Sequence, residues 1–181
     1  MGKVLEESLS NFSDRISDAV KSRKNILVTT HIDCDGITSG SIISKALIRH
    51  GAKCTIRTTN EFSGNLIDRM QKETRDLHII TDLGGGFGKV LDEKLSDNWF
   101  MLDHHEITED EHDNERVINA WKYGIDGGVE ICAGGMAYLA AKALSQDNED
   151  LSRVAVVSAL GDRQDQGERK SFTGKNIEIA E

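Results

Sequence analysis

The sequence predicts an α/β fold in which a parallel β-sheet carries helices on both faces, and three observations lead there. Short hydrophobic runs alternate with segments of helical periodicity. The runs Ile26-Leu27-Val28 and Trp99-Phe100-Met101-Leu102 are continuously apolar, as strands buried on both faces must be. Acidic residues and histidines then collect where runs end: His31-Ile32-Asp33-Cys34-Asp35-Gly36, Thr81-Asp82, Asp103-His104-His105 and Gly161-Asp162. Ligand sites of parallel sheets form outside the carboxyl ends of the strands.

Taken in order, Leu5, Leu9, Phe12, Ile16 and Val20 draw one stripe down an amphipathic helix over residues 4–22. Residues 25–30 read as a buried strand, and 37–50 as a helix that Gly51 closes. A strand at 53–58, a short helix at 65–72 and a strand at 77–80 repeat the cycle. Gly84-Gly85-Gly86 breaks the chain before a brief helix at 89–95 and a strand at 98–102. The acidic, turn-rich stretch 109–115 is expected to be a mobile loop. Residues 117–120 form a short strand and 125–128 a turn. Helices at about 132–144 and 151–160 close the chain.

The 181 residues suit one domain spanning 1–181, with 38% hydrophobic and 29% charged residues. No apolar stretch approaches the ~18 to 20 residues of a membrane span. The N-terminus lacks a signal-peptide pattern, so a cytoplasmic location is expected. Cys34, Cys54 and Cys132 are scattered and odd in number, which argues against a disulfide framework or a zinc ribbon. Cys34 is expected to be a packed thiol. The net charge of -9 counts against a protein that simply coats nucleic acid, although bound divalent ions would invert the sign locally.

Each acid alone also reads as a turn or a helix cap; together, and in this order, they read as a two-metal phosphoesterase. The donor set is rich in oxygen with some imidazole, which suits manganese or magnesium better than structural zinc. His31, Asp33 and Asp35 share a parity, so all three converge if the segment stays extended, with Gly36 then turning the backbone into the helix. Adjacent His104 and His105 face opposite ways, one toward metal and the other toward substrate or interior. Asp82, after a central strand, is the natural bridge between ions about 3.5 to 4 Å apart. Asp162 is free to swing toward the site. The glycines at 84–86 are expected to keep side chains away from metals and incoming phosphate. Of the other histidines, His50 is expected to be a helix-dipole partner, His78 to pack by a strand and His112 to be solvated.

The ordered set His31-x-Asp33-x-Asp35-Gly36, Asp82, Asp103-His104-His105 and Gly161-Asp162 resembles the four motifs of the DHH phosphoesterase superfamily. The resemblance spans nearly the whole chain. The wording of residues 30–39, with Ala133-Gly134-Gly135-Met136-Ala137-Tyr138, most resembles archaeal RecJ-like proteins, which include a nuclease associated with the GINS replication complex. By that resemblance Asp33 binds one of two Mn2+ ions (Mg2+ being the alternative) and Asp35 the other, with Asp82 bridging. His104 and Asp162 complete the second ion's shell, Asp103 orients a neighbouring group, and His105 faces the scissile phosphate. Many members place the first histidine four residues before the first Asp, where this chain has Thr29; His31 has the parity to substitute as ligand. Relatives also carry a later substrate-binding domain with a glycine-rich, histidine-containing motif, so a chain ending at Glu181 resembles the catalytic half alone.

The implied activity is hydrolysis of a phosphodiester at the end of single-stranded DNA or RNA, in replication or repair. Two rivals follow from the same resemblance. One is a GINS-binding replisome scaffold, similar to the eukaryotic helicase component that kept the fold and lost catalysis. The other is a pyrophosphatase or small-nucleotide phosphodiesterase.

Overall fold

A computed structural model describes residues 4–181. The chain runs α1 (Leu5–Lys21), β1 (Asn25–His31), α2 (Cys34–Arg49), β2 (Lys53–Thr59), α3 (Gly64–Lys72), β3 (Leu77–Thr81), α4 (Gly88–Leu95) and β4 (Trp99–Asp103). It continues through α5 (Glu109–His112), β5 (Val117–Asn119), α6 (Ala133–Leu144), α7 (Ser152–Gly161) and α8 (Gly174–Ala180). Short 3-10 turns at Ala120–Tyr123 and Gln146–Leu151 lead out of β5 and into α7. The five strands form one sheet in the order β2-β1-β3-β4-β5. Every pairing is parallel, as the sequence predicts.

The strand pattern divides its residues between two cores because successive side chains point to opposite faces. Val28, Ile79, Phe100 and Leu102 join the core made with α1, α2 and α6. Ile80, Trp99 and Met101 join a smaller core with α3 and α4. Both faces are therefore covered. The chain leaves β1 toward β2 on one side and later returns to β3 on the other. Between β1 and β3 lies the topological switch point, where such sheets open a crevice.

Four expectations are corrected. Helix α2 begins at Cys34, not near 37, because the Asp33 carboxylate accepts from the Gly36 backbone N–H at 2.8 Å and caps it. Asp33 itself stays extended as the cap (φ -78°, ψ -173°), but Asp35 is already helical, so the shared parity of His31, Asp33 and Asp35 does not carry through to Asp35. Cys34 is exposed and not buried, although its Sγ lies against α7, 3.9 Å from Val157 O. The stretch 109–115 is not a loose loop. It contains α5, and Glu111 is buried with its Oε1 accepting from the backbone N–H groups of Gly86 at 2.9 Å and Gly88 at 3.3 Å. His78 packs within β3, where burial pushes its imidazole down to about 4. Helix α8 has no counterpart among the predicted elements.

Candidate metal centre

Three strand ends deliver the site. After β1 the chain turns through Asp33 into α2, which places Asp35 on the first helical turn, buried. Asp35 is fixed there from across the fold. Its Oδ2 accepts from the Ala133 N–H and its Oδ1 from the Gly134 N–H, both at 2.8 Å, so the carboxylate sits on the N-terminus of α6. The Ser158 hydroxyl of α7 donates to the same Oδ1.

Asp82 follows β3 directly and takes a left-handed backbone (φ 60°), a conformation that Asp tolerates better than most residues. Its two oxygens face different neighbours. Oδ1 lies 3.4 Å from His104 Nε2, and Oδ2 lies 3.7 Å from His31 Nδ1. Asp103, the last residue of β4, accepts through Oδ1 from the His104 backbone N–H at 2.8 Å. The same oxygen holds the His105 ring by Nδ1, also at 2.8 Å.

His104 is aimed by the chain around it. Gly127 O can only accept, so the 2.7 Å contact puts a hydrogen on His104 Nδ1, and Nε2 is the ring nitrogen that faces Asp35 Oδ2 at 3.3 Å and Asp82 Oδ1 at 3.4 Å. Donor atoms bound to adjacent corners of an octahedral ion lie about 3.0 Å apart, close to these separations. Three groups of donor atoms lie within 4.8 Å of one another: His31 with Asp33 and Asp82; Asp35 with His104 and Asp162; and Asp82 with Asp103, His104 and His105. All eight residues singled out from the sequence thus fall in one connected cluster, and Asp82, a member of the first group, reaches the second through His104.

The electrostatics fit a cation. Burial, aided by the charges of Asp35 and Asp33, pushes the Asp82 carboxyl up. Burial opposes charge on His104, yet Asp82 and Asp35 push its imidazole up. Both directions describe a centre that retains protons against an excess of negative charge, and a divalent ion answers the same excess. Asp82 Oδ2, Asp103 Oδ2 and His104 Nε2 are buried without a hydrogen-bond partner, which is costly unless something else binds them. The orphaned Asp103 oxygen gives that residue a second capacity, as a donor to a cation, beyond the orienting part expected from the sequence. Of the three glycines, Gly85 is the one that adjoins a site residue, and a Cβ there would make only ordinary contact, 3.8 Å from Asp103 Oδ2.

Sequence reasoning missed Gln164. It is wholly buried, and its amide donates at 2.8 Å both to Asp162 Oδ2 and to Gly127 O, the carbonyl that orients His104. Its own oxygen accepts from Asn176 of α8 at 2.7 Å. The only sequence signal was a polar residue two places beyond Asp162. The change Gln164→Leu removes both donors at similar size. It is expected to weaken manganese binding about tenfold, the scale seen when a ligand's outer partner is lost. Isothermal titration of Mn2+ measures this, and an unchanged affinity would leave Gln164 with a packing role only.

Carboxylates and imidazoles converging at the switch point of a parallel sheet define an α/β domain built around a candidate cation site. The chain belongs to the DHH family: residues 25–161 match the DHH family N-terminal domain. It is 32% identical over 164 residues to MJ0831, an uncharacterized protein of Methanocaldococcus jannaschii, covering 83% of this chain and 37% of that protein. Its fold superposes on RecJ of Thermus thermophilus in complex with Mn2+ with a TM-score of 0.74 at 19% identity, over 95% of this chain and 26% of that one. CDC45 of Entamoeba histolytica follows with a TM-score of 0.64 at 16% identity, over 97% and 36%. The chain therefore spans 37% of the curated relative and about a quarter of the RecJ chain, and its fold is that of a DHH-family domain.

Proposed function

We propose that this chain is a two-metal phosphodiesterase acting on the ends of single-stranded DNA or RNA, with Mn2+ as the preferred ion and Mg2+ as an alternative. The observation that carries the reading is Asp82, whose two oxygens face two separate sets of donors. His31 and Asp33 would hold one ion, Asp35, His104 and Asp162 the other, and Asp82 would bridge them. A bound pair of cations supplies Lewis acidity at the phosphoryl group and lowers the pKa of water.

The chain's own residues do the rest. The α6 N-terminus keeps Asp35 aimed, and Gly127 keeps Nε2 of His104 directed inward. Asp103 holds His105 by Nδ1 and pushes its imidazole up, so Nε2 is the free ring nitrogen, available to donate to a phosphoryl oxygen. His105 and Asp33 are the exposed members of the group, with 58% and 55% of their side chains accessible, and exposure suits a residue that meets substrate.

Support for the nuclease reading comes from the likeness to RecJ and from the wording of the first motif. Every candidate donor is present, which weighs against a scaffold that has shed its chemistry. Turnover of pyrophosphate, a dinucleotide and a long single-stranded DNA with Mn2+ ranks the substrate readings, with release from the DNA expected to lead. Mn2+ binding without hydrolysis of any of the three would overturn the enzyme. Pull-down with GINS subunits, run beside this assay, separates a docking role from a catalytic one. No helix among the described residues is long and apolar enough to cross a membrane.

A further inference from the structure

We propose that Phe62 forms a nucleobase subsite across the crevice from the candidate metal ligands, so that one nucleotide is held by its base and its phosphate together. The inference deepens the phosphodiesterase reading and rests on it for the phosphate end. A cavity of about 440 Å³ opens over the site, within the range that encloses small ligands. His31, Asp33, Asp82, Asp103 and His105 line it, and so do Asn60, Phe62 and the glycine turn at 84–86.

Phe62 is half-buried, and its ring is fixed by Phe87, with centroids 5.4 Å apart and planes at 72°. Phe87 directly follows Gly86, so this contact seats the ring beside the glycine turn, and a Cβ at Gly86 would meet nothing within 4 Å. An open, side-chain-free turn next to an anchored aromatic ring leaves room for a flat group. The segment bearing Phe62 is itself ordered. The Thr59 hydroxyl donates to Glu61 O at 2.9 Å and accepts from the Glu61 N–H at 3.3 Å, so little ordering remains to be done on binding. Asn60, exposed at the same rim, offers amide donors and an acceptor to the edge of a base.

Charge points the same way. No lysine or arginine is among the residues lining the cavity, while Glu61 and Glu106 add acid to its rim. A phosphate backbone finds no cationic track there away from the metal end. Grip at the far end must come from an uncharged surface, and the Phe62 ring is the aromatic surface on offer. Stacking of a base on an aromatic side chain contributes about 1–3 kcal/mol, which is roughly 5- to 150-fold in affinity.

The test compares the Mn2+-loaded chain with its Phe62→Leu and Phe62→Tyr variants. Leucine keeps apolar packing and loses the π-face, whereas tyrosine keeps both. The probes are deoxyadenosine 5′-monophosphate and deoxyribose 5-phosphate, which share sugar and phosphate and differ in the base. Binding is read by calorimetry and saturation-transfer NMR. The original chain should bind the nucleotide about tenfold more tightly than the sugar phosphate. Phe62→Leu should remove that difference without moving sugar phosphate affinity, and Phe62→Tyr should restore it. Equal binding of the two probes by the original chain, failure of both to bind, or equal weakening of both by leucine would overturn the subsite. Binding needs no turnover, so base-dependent affinity without hydrolysis would sink the reaction and spare the subsite.

Discussion

Replacing Asp82 with asparagine should lower metal-dependent hydrolysis by roughly a thousandfold or more, about 4 kcal/mol of transition-state stabilisation, while the fold survives. An asparagine amide keeps one acceptor oxygen and turns the other position into an N–H2 donor, which repels a cation. The position between His104 Nε2 and His31 Nδ1 then has no bridge. Asparagine tolerates the left-handed backbone that residue 82 adopts, so local strain does not rise. The orphaned Oδ2 is also replaced by a neutral group, which eases burial. Two measurements separate these effects. Without metal, the melting temperature should stay within a few degrees of the original. With Mn2+, the original should gain the stabilisation of a bound ligand, about 2.7 kcal/mol at a hundred times Kd, and the variant should gain far less. Retained Mn2+-dependent turnover in Asp82→Asn would remove this carboxylate from the centre of the mechanism.

The strands and their order of acids were readable because both rest on local pattern. Continuous apolar runs mark buried strands, and polar clusters at their ends mark the carboxyl edge of the sheet. What could not be read was the contact made across long stretches of chain. Asp35 owes its fixed position to the first N–H groups of α6, about a hundred residues later, and neither segment announces the other. Gln164 links Asp162, the Gly127 carbonyl and α8 through one buried amide, a role that depends wholly on packing. Glu111 misled for the opposite reason. A run of acids has the composition of a solvated loop, and only the backbone N–H groups of Gly86 and Gly88 turn one of them inward. Phe62 carried no signal, because a lone aromatic after a strand is ordinarily part of a core.

Gly36→Ala should be a damaging single-methyl change near the site, for a reason that differs from the one the sequence offered. The sequence made Gly36 the hinge between an extended ligand segment and a helix. In the structure it lies on the first turn of α2, where φ is not in the left-handed region, and the need is for close approach. A Cβ there would stand 2.5 Å from the Cβ and the carbonyl oxygen of His31. Backbone cannot swing aside as the end of a flexible side chain can, so the end of β1 and the start of α2 must separate. That motion displaces His31, breaks the cap that the Asp33 carboxylate places on the Gly36 N–H and shifts Asp35 off the α6 N-terminus, so both halves of the candidate metal centre move together. Overpacking of this kind costs about 3 kcal/mol. In a chain of this size that lowers the melting temperature by roughly 6–12 °C. Gly64→Ala is the matched control, since a Cβ at the start of α3 meets nothing within 4 Å and alanine favours the helix. Gly36→Ala should lose Mn2+ affinity as well as stability, and Gly64→Ala neither. Equal melting temperatures for the two variants would show that the junction of β1 with α2 has slack, and that the site does not depend on so tight an approach.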